Sequence, residues 1–318
     1  MVRALLCSIL AAASLASAAD GYPERPVRII VPYAPGGGTD VVGRILAAYF
    51  TQRLGQSFVV DNRPAGSGIV GTDLVAKAPP DGYTLLFAFS SLSSSAKLYA
   101  KLPFDPIGDF APVALATTSP LVLLLHASVP ARDLKEFIAH ARAHPGKLNY
   151  GSSGLGSSPH LATELLMSMA GIQMAHIPYK GIAPAVTAQL ANEVQLTFTP
   201  IAVGMPHVKA GRLRAIGHGG VQRSAVVPGL PTLAEAGLPG FEVIAWWGML
   251  APAKTPRPIV ERLNRELRAA LAATEIRRSL VDQGMDPAGG TPEQFAALIK
   301  SDMEKWGDIG KRLGVKLD

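Results

Sequence analysis

Pro35-Gly36-Gly37-Gly38-Thr39-Asp40 and, further along, Gly151-Ser152-Ser153-Gly154-Leu155-Gly156-Ser157-Ser158 are two turns built almost wholly from small residues. Each follows a strand-like run, 27–33 and 147–150, and each opens an amphipathic one. A strand that feeds a helix through such a turn leaves unpaired backbone N–H groups at the helix start, where the dipole also favours negative charge. The two turns read as halves of one anion clamp suited to carboxylate or phosphate.

Working outward, the apolar spacing predicts a strand at 27–33, a helix at 40–54, a strand at 58–62, a Gly-led helix at 66–78 and a strand at 83–89. That is a βαβαβ unit, the pattern of a parallel sheet with covered faces. Residues 113–125 supply further apolar strands, and Asp133-Leu134-Lys135-Glu136 has capping-box spacing at the start of a helix stopped by His144-Pro145-Gly146. After the second small-residue turn come a helix at 159–169 and strands near 174–177, 194–199 and 213–217. Ile259, Leu263, Leu267 and Leu271 share one face of a helix at 258–273, and a shorter helix follows it. Thr291-Pro292-Glu293-Gln294 then opens a helix at 292–313.

The bulk numbers narrow the class. Residues 1–19 read as an export signal: Arg3 at the positive end, an apolar stretch at 4–15 and Ala16-Ser17-Ala18 as cleavage motif, with cleavage near Ala18-Ala19. Cys7 is the only cysteine and lies in this leader, so the mature chain has neither disulfide nor thiolate metal site. No later run reaches the length of a membrane span. With 48% hydrophobic and 17% charged residues the chain is globular, and its length favours two domains. The net charge of +6 comes from scattered basic residues without a Lys/Arg run or interleaved aromatics, which argues against nucleic acid as a partner.

At this point the residues resemble a known family. Tyr22-Pro23, Val31-Pro32-Tyr33-Ala34-Pro35 through Asp40, Asp61-Asn62-Arg63-Pro64 and Ala76-Lys77-Ala78-Pro79-Pro80-Asp81-Gly82-Tyr83 are similar to the tripartite tricarboxylate transporter substrate-binding proteins, also called the Bug family. The likeness continues through Leu102-Pro103-Phe104-Asp105-Pro106, Pro145-Gly146-Lys147-Leu148-Asn149-Tyr150, His176-Ile177-Pro178-Tyr179-Lys180-Gly181, Gly211-Arg212-Leu213-Arg214-Ala215 and Leu230-Pro231-Thr232-Leu233. It runs in order over nearly the whole chain after the leader. It implies an α/β, two-lobed periplasmic-binding-protein (Venus flytrap) fold, each lobe a mostly parallel sheet flanked by helices. Residues 20–115 with 235–318 would form lobe 1 and residues 116–234 lobe 2. It further implies a monomer that captures a small organic carboxylate in the interlobe cleft, needs no cofactor, and hands its ligand to membrane permease subunits.

The candidate ligand-binding residues follow from both readings. Gly37 and Gly38, with Thr39, offer main-chain donors at the first helix start, because glycine lets the backbone approach a ligand closely. Asp40 caps that helix or holds a bridging water, since direct contact with an anion is repulsive. Tyr33 lines the cleft or is strand core. In the second turn Ser153 and Ser157 offer hydroxyls and Gly154 and Gly156 offer backbone, with Ser158 as the expected cap. His160 matches a family position near the cleft. Ser90 and Ser91 add hydroxyls after the third strand, while Leu92 stands where the family often has histidine. Thr199 stands where some members carry aspartate, so a cationic amino group has no partner and an uncharged-bodied mono- or dicarboxylate is expected instead of an amino acid. Trp246-Trp247 belongs at a lobe crossing or at the cleft mouth.

Other chemistries fit poorly. Leu155 breaks Gly-x-Ser-x-Gly, no Gly-Lys-Ser/Thr follows the triple glycine, and His140 with His144 lacks a third metal ligand. Two alternatives share the same residues. A sensory protein presenting its ligand to a membrane histidine kinase would have the same fold, and an exported serine hydrolase would use Ser153 or Ser157 with His160 and Asp40.

Overall fold

The computed structural model describes residues 21–315; the expected leader, 1–19, lies outside them. Strand β1 (Val27–Val31) is buried at all positions but Arg28 and lies between β2 (Phe58–Asn62) and β3 (Thr84–Phe89), parallel to both. Helix α1 (Gly38–Leu54) joins β1 to β2, and a 3-10 turn (Gly66–Gly68) leads to α2 (Ile69–Ala76) before β3. The βαβαβ unit is as expected. The helix predicted at 66–78 is shorter because Ser67 and Gly68 take left-handed conformations, which a right-handed helix does not continue. A single helical turn, α3 (Ser91–Ser94), follows β3.

The apolar stretch predicted as several strands is one strand of 17 residues, β4 (Phe110–His126). Its first part, 110–120, pairs antiparallel with β9 (Ile244–Pro252). Past Pro120 the partners change: 121–125 pair with β7 (Leu196–Pro200) and 122–126 with β8 (Leu213–His218). Proline brings no N–H to a ladder, which suits the point where a strand trades neighbours. Residues 121–125 are buried without alternation because both faces of this part of the sheet are covered.

β5 (Asn149–Ser152) lies parallel to β6 (Ala175–Pro178) and β7, and β10 (Asp286–Gly289) pairs antiparallel with β4. The strand order is β2-β1-β3-β9-β4-β7-β5-β6, with β8 and β10 also on β4. The expectation of mostly parallel sheets is thereby corrected. Parallel pairing holds for the outer strands of each half, whereas β4, β8, β9 and β10 are antiparallel to their neighbours. β4 carries the chain out of the first half and β9 brings it back, so the two run in opposite directions.

The helices form where their end signals stand. Asp133 caps α4 (Leu134–Ala143) by accepting from Glu136 N, and α5 (Ser158–Ala170) follows the second small-residue turn. Thr291 and Gln294 cap each other at the start of α10 (Pro292–Leu313), which stops at left-handed Gly314. α8 (Arg257–Ala272) buries Ile259, Leu263, Leu267 and Leu271, and α9 (Thr274–Asp282) follows it. Two helices were not anticipated, α6 (Ile182–Leu190) and α7 (Ile201–Lys209), both carrying an early or internal proline. β9 was not anticipated either. No helix among the described residues is long and apolar enough to cross a membrane.

Candidate functional site

α1 begins without a side-chain cap. Its N-cap is Gly37 in an extended conformation, and the first intrahelical bond runs from Val41 N to Gly37 O. The amides of Gly38, Thr39 and Asp40 therefore have no acceptor within the helix. A Cβ on Gly38 would lie 3.0 Å from Met285 Cε and 3.1 Å from Trp247 Cζ2, so the close packing here requires glycine.

Asp40 shapes this turn from within. Its Oδ2 accepts from Gly36 N at 3.0 Å, and its Oδ1 accepts from Arg44 Nε and Asn62 Nδ2, each at 3.0 Å. Burial alone would raise its pKa, but those hydrogen bonds outweigh burial and hold the carboxyl below the usual range. Both oxygens are thus engaged inside the turn, a third role beside the capping and water-holding considered from sequence.

The second turn is organised by histidines. Ser157, and not Ser158 as expected, is the N-cap of α5, accepting from His160 N at 3.4 Å. Proline follows Ser158 directly, so the N–H available three residues on belongs to His160 and faces Ser157. His160 Nδ1 accepts from Gly156 N at 3.1 Å, and its ring stacks on His176 with centroids 4.2 Å apart. His176 Nε2 shares a 2.6 Å hydrogen bond with Ser152 Oγ. Burial lowers the pKa of His160 to about 4; burial and then the neighbouring His160 lower that of His176 to about 3. His160 Nε2 lies 3.7 Å from Glu164, yet the depressed pKa keeps this from being an ion pair at neutral pH. His140 and His144 stack on each other at the end of α4, with His144 Nδ1 on the His140 carbonyl.

The two turns are shut over one another. Ser90 Oγ meets Ser158 Oγ at 2.8 Å, Ser158 N donates to Ser91 Oγ, Ser94 Oγ donates to Gly156 O, and Ala34 N donates to Lys180 O at 3.0 Å. Gly154 has φ +125°, and a Cβ there would fall 2.7 Å from Ser67 Cβ.

Between the turns lies a narrow cavity with space for about one or two water molecules in this closed arrangement. Of the expected residues Tyr33, Gly37, Gly38, Thr39 and Ser153 line it. Ser153 Oγ is the informative one, being buried with no hydrogen-bond partner. Asp40, Gly154, Gly156, Ser157 and His160 build the turns behind the cavity wall. Ser90 and Ser91 face Ser158 across the seam. Thr199 points away: its methyl packs toward Gly204 and its Oγ1 lies 3.4 Å from Pro200 O.

The rest of the wall came from residues the sequence did not single out for the site. Ile182 arrives at the first position of α6, Pro200 at the end of β7, Pro159 at the start of α5 and Phe89 at the end of β3. The two tryptophans divide the roles left open for them. Trp247 lines the cavity and donates its Nε1 to Thr39 Oγ1 at 3.0 Å. Trp246, on the opposite face of β9, packs edge-on to Phe295 and donates to Asp302. Strand alternation separates them. Among the described residues no three His, Cys, Asp or Glu side chains are grouped to hold a metal ion.

Residues 42–315 match the model of the tripartite tricarboxylate transporter family receptor. A UPF0065 protein from the tcbD-tcbE intergenic region of Pseudomonas sp. (strain P51) is 43% identical over 288 residues, 90% of this chain and 86% of that protein. The R. palustris protein Rpa4515, solved with adipate, superposes with a TM-score of 0.90 at 35% identity, covering 93% of this chain and 99% of that one. MatC from Rhodopseudomonas palustris, solved with bound malate, gives 0.87 at 34% identity, covering 91% of this chain and 99% of that one. By family match, sequence and two-lobed fold, this chain belongs to the tripartite tricarboxylate transporter receptor family, the Bug substrate-binding proteins.

Proposed function

We propose that this protein is a periplasmic solute-binding protein that closes two lobes on a small organic carboxylate and delivers it to a tripartite tricarboxylate-type membrane permease. Lobe 1 is 20–115 with 235–318 and lobe 2 is 116–234, the chain acts as a monomer, and the leader 1–19 is removed on export near Ala18-Ala19. The observation that carries this reading is the meeting of the uncapped α1 start with the unpartnered Ser153 hydroxyl across one interlobe cavity. A buried hydroxyl left without a partner is costly, and a carboxylate accepts from both groups at once. The adipate and malate held by the two solved relatives support the same ligand class.

The energetics are sufficient. About four to six charge-assisted hydrogen bonds at roughly 1.5–3 kcal/mol each supply about 6–18 kcal/mol gross. Closure and immobilisation cost several kcal/mol, which leaves room for a micromolar Kd, about −8 kcal/mol. Binding alone is the chemistry this arrangement serves. Asp40 is occupied by Gly36, Arg44 and Asn62, and His160 Nδ1 by Gly156, so neither is aligned to activate Ser153 or Ser157.

A thermal-shift screen of organic acids on the mature protein tests the proposal. A cognate acid at a hundred times its Kd adds about 2.7 kcal/mol of stability. Absence of any shift across mono-, di- and tricarboxylates, with a shift for cationic or neutral solutes, would overturn it. Transport is tested separately by acid uptake in cells with and without this protein beside its permease subunits.

A further inference from the structure

The interlobe cavity is polar at one end only. There the first residues of α1 share the wall with Ser153, 3% exposed and with its Oγ unpartnered. Most of the remaining wall is hydrocarbon: Ile182, Phe89 and the indole of Trp247, with Pro159 and Pro200, which have no N–H to give, beside Tyr33, whose hydroxyl is bonded by Ser91. The indole N–H is already committed to Thr39 Oγ1, and the ring lies 5.1 Å from that of Phe89, so Trp247 shows the cavity only its apolar surface. Among the described residues no Arg, Lys or His side chain lines this wall.

A second carboxylate could reach the adjoining cavity on the far side of Tyr33, which is of similar size and edged by hydroxyls. Most of those hydroxyls are spent. Ser95 Oγ donates to Ser91 O at 2.6 Å and Thr72 Oγ1 to Gly68 O at 2.8 Å. Ser91 is bonded to the Tyr33 hydroxyl and accepts from Ser158 N, while Ser67 is held by the Tyr99 hydroxyl, which itself donates to Leu155 O. A carboxylate requires protons to accept, and all of these groups but the Tyr33 hydroxyl have given theirs to the fold. A buried ionised carboxylate without donors is strongly disfavoured.

We infer that the ligand is a monocarboxylate with an apolar body. Its carboxylate sits on the α1 start and Ser153, and its hydrocarbon lies against Ile182 and Trp247. This rests on the carboxylate reading of the same cavity and narrows it to one charged end, unlike adipate and malate with two.

Matched pairs of acids on the mature wild-type protein test it, by titration calorimetry with Trp247 fluorescence as a second signal. Butyrate is set against succinate, hexanoate against adipate, and benzoate against terephthalate. In at least one pair the monocarboxylate binds and its Kd is at least tenfold below that of the dicarboxylate. Ile182→Thr, which adds a hydroxyl to the apolar wall, narrows that ratio to below threefold, and Ser153→Ala weakens every acid at least tenfold. Dicarboxylates binding as tightly as or more tightly than their partners, with the Ser153→Ala loss intact, would overturn the one-ended assignment and leave the carboxylate reading standing. No binding by any acid, with Ser153→Ala silent, would overturn both.

Discussion

Ser90 Oγ and Ser158 Oγ lie 2.8 Å apart, both shut off from solvent, where the end of β3 meets the start of α5. The bond joins residues 68 apart in sequence and spans the seam between the two turns. Ser90→Ala should leave Ser158 buried without this partner and weaken ligand binding by about 1–3 kcal/mol. The double variant Ser90→Ala/Ser158→Ala should lose less than the two single losses combined, because neither hydroxyl is then orphaned. Calorimetric Kd values for the four proteins close the cycle; strictly additive losses would show that the bond does not hold the seam.

Gly154 offers a way to block closure while sparing the fold. An alanine there meets Ser67 across the seam at 2.7 Å and takes an unfavourable φ of +125°. Separation of the turns relieves the first problem and not the second. Gly154→Ala should therefore raise ligand Kd at least tenfold while lowering stability by about 1–3 kcal/mol. Small-angle scattering should show the variant failing to contract on ligand addition.

Acidification should destabilise the protein through the histidine stack. An unfolded histidine takes up a proton near pH 6.5, whereas folded His160 does so only near 4 and His176 near 3. Between those values the unfolded chain binds more protons, so stability is full above about pH 6.5 and falls as pH drops toward 4. Other groups face this stack too: Tyr150 stacks at 4.7 Å on His176 and donates to Glu164, which approaches His160. His160→Asn keeps an acceptor for Gly156 N and removes one titrating group. Denaturant midpoints measured at pH 7 and 4.5 should show a smaller difference for this variant than for wild type.

Asp302 on α10 accepts from Trp246 Nε1 at 3.0 Å and from Ser93 Oγ. Burial raises its pKa despite the opposing hydrogen bonds, so its charged form is the strained one and stability declines as pH rises through the elevated value. Asp302→Asn keeps an acceptor for Trp246 and removes the charge; it should be neutral to stabilising at pH 8. Asp302→Ala orphans the indole N–H and should cost about 1–3 kcal/mol. Paired melting curves at pH 5 and pH 8 distinguish the two effects.

The family, the two small-residue turns and most element ends were legible in the sequence, because each depends on signals a few residues long. Thr291 and Gln294 define the start of α10, and Gly314 its end, within one helical turn of the atoms they satisfy. The triple glycine likewise declares an uncapped helix start wherever the rest of the chain goes. The cavity wall was not legible. Trp247 reaches Thr39 from 208 residues away, Ile182 and Pro200 arrive on elements whose prolines obscure their pattern, and Ser90 finds Ser158 only when the turns meet. Local hydrogen bonding is written into neighbouring residues, but which side chains share a buried space depends on how strands cross. Here that crossing is set by β4 changing partners at Pro120. The small-residue end of the cavity was thus determined by sequence, and its apolar end by tertiary structure.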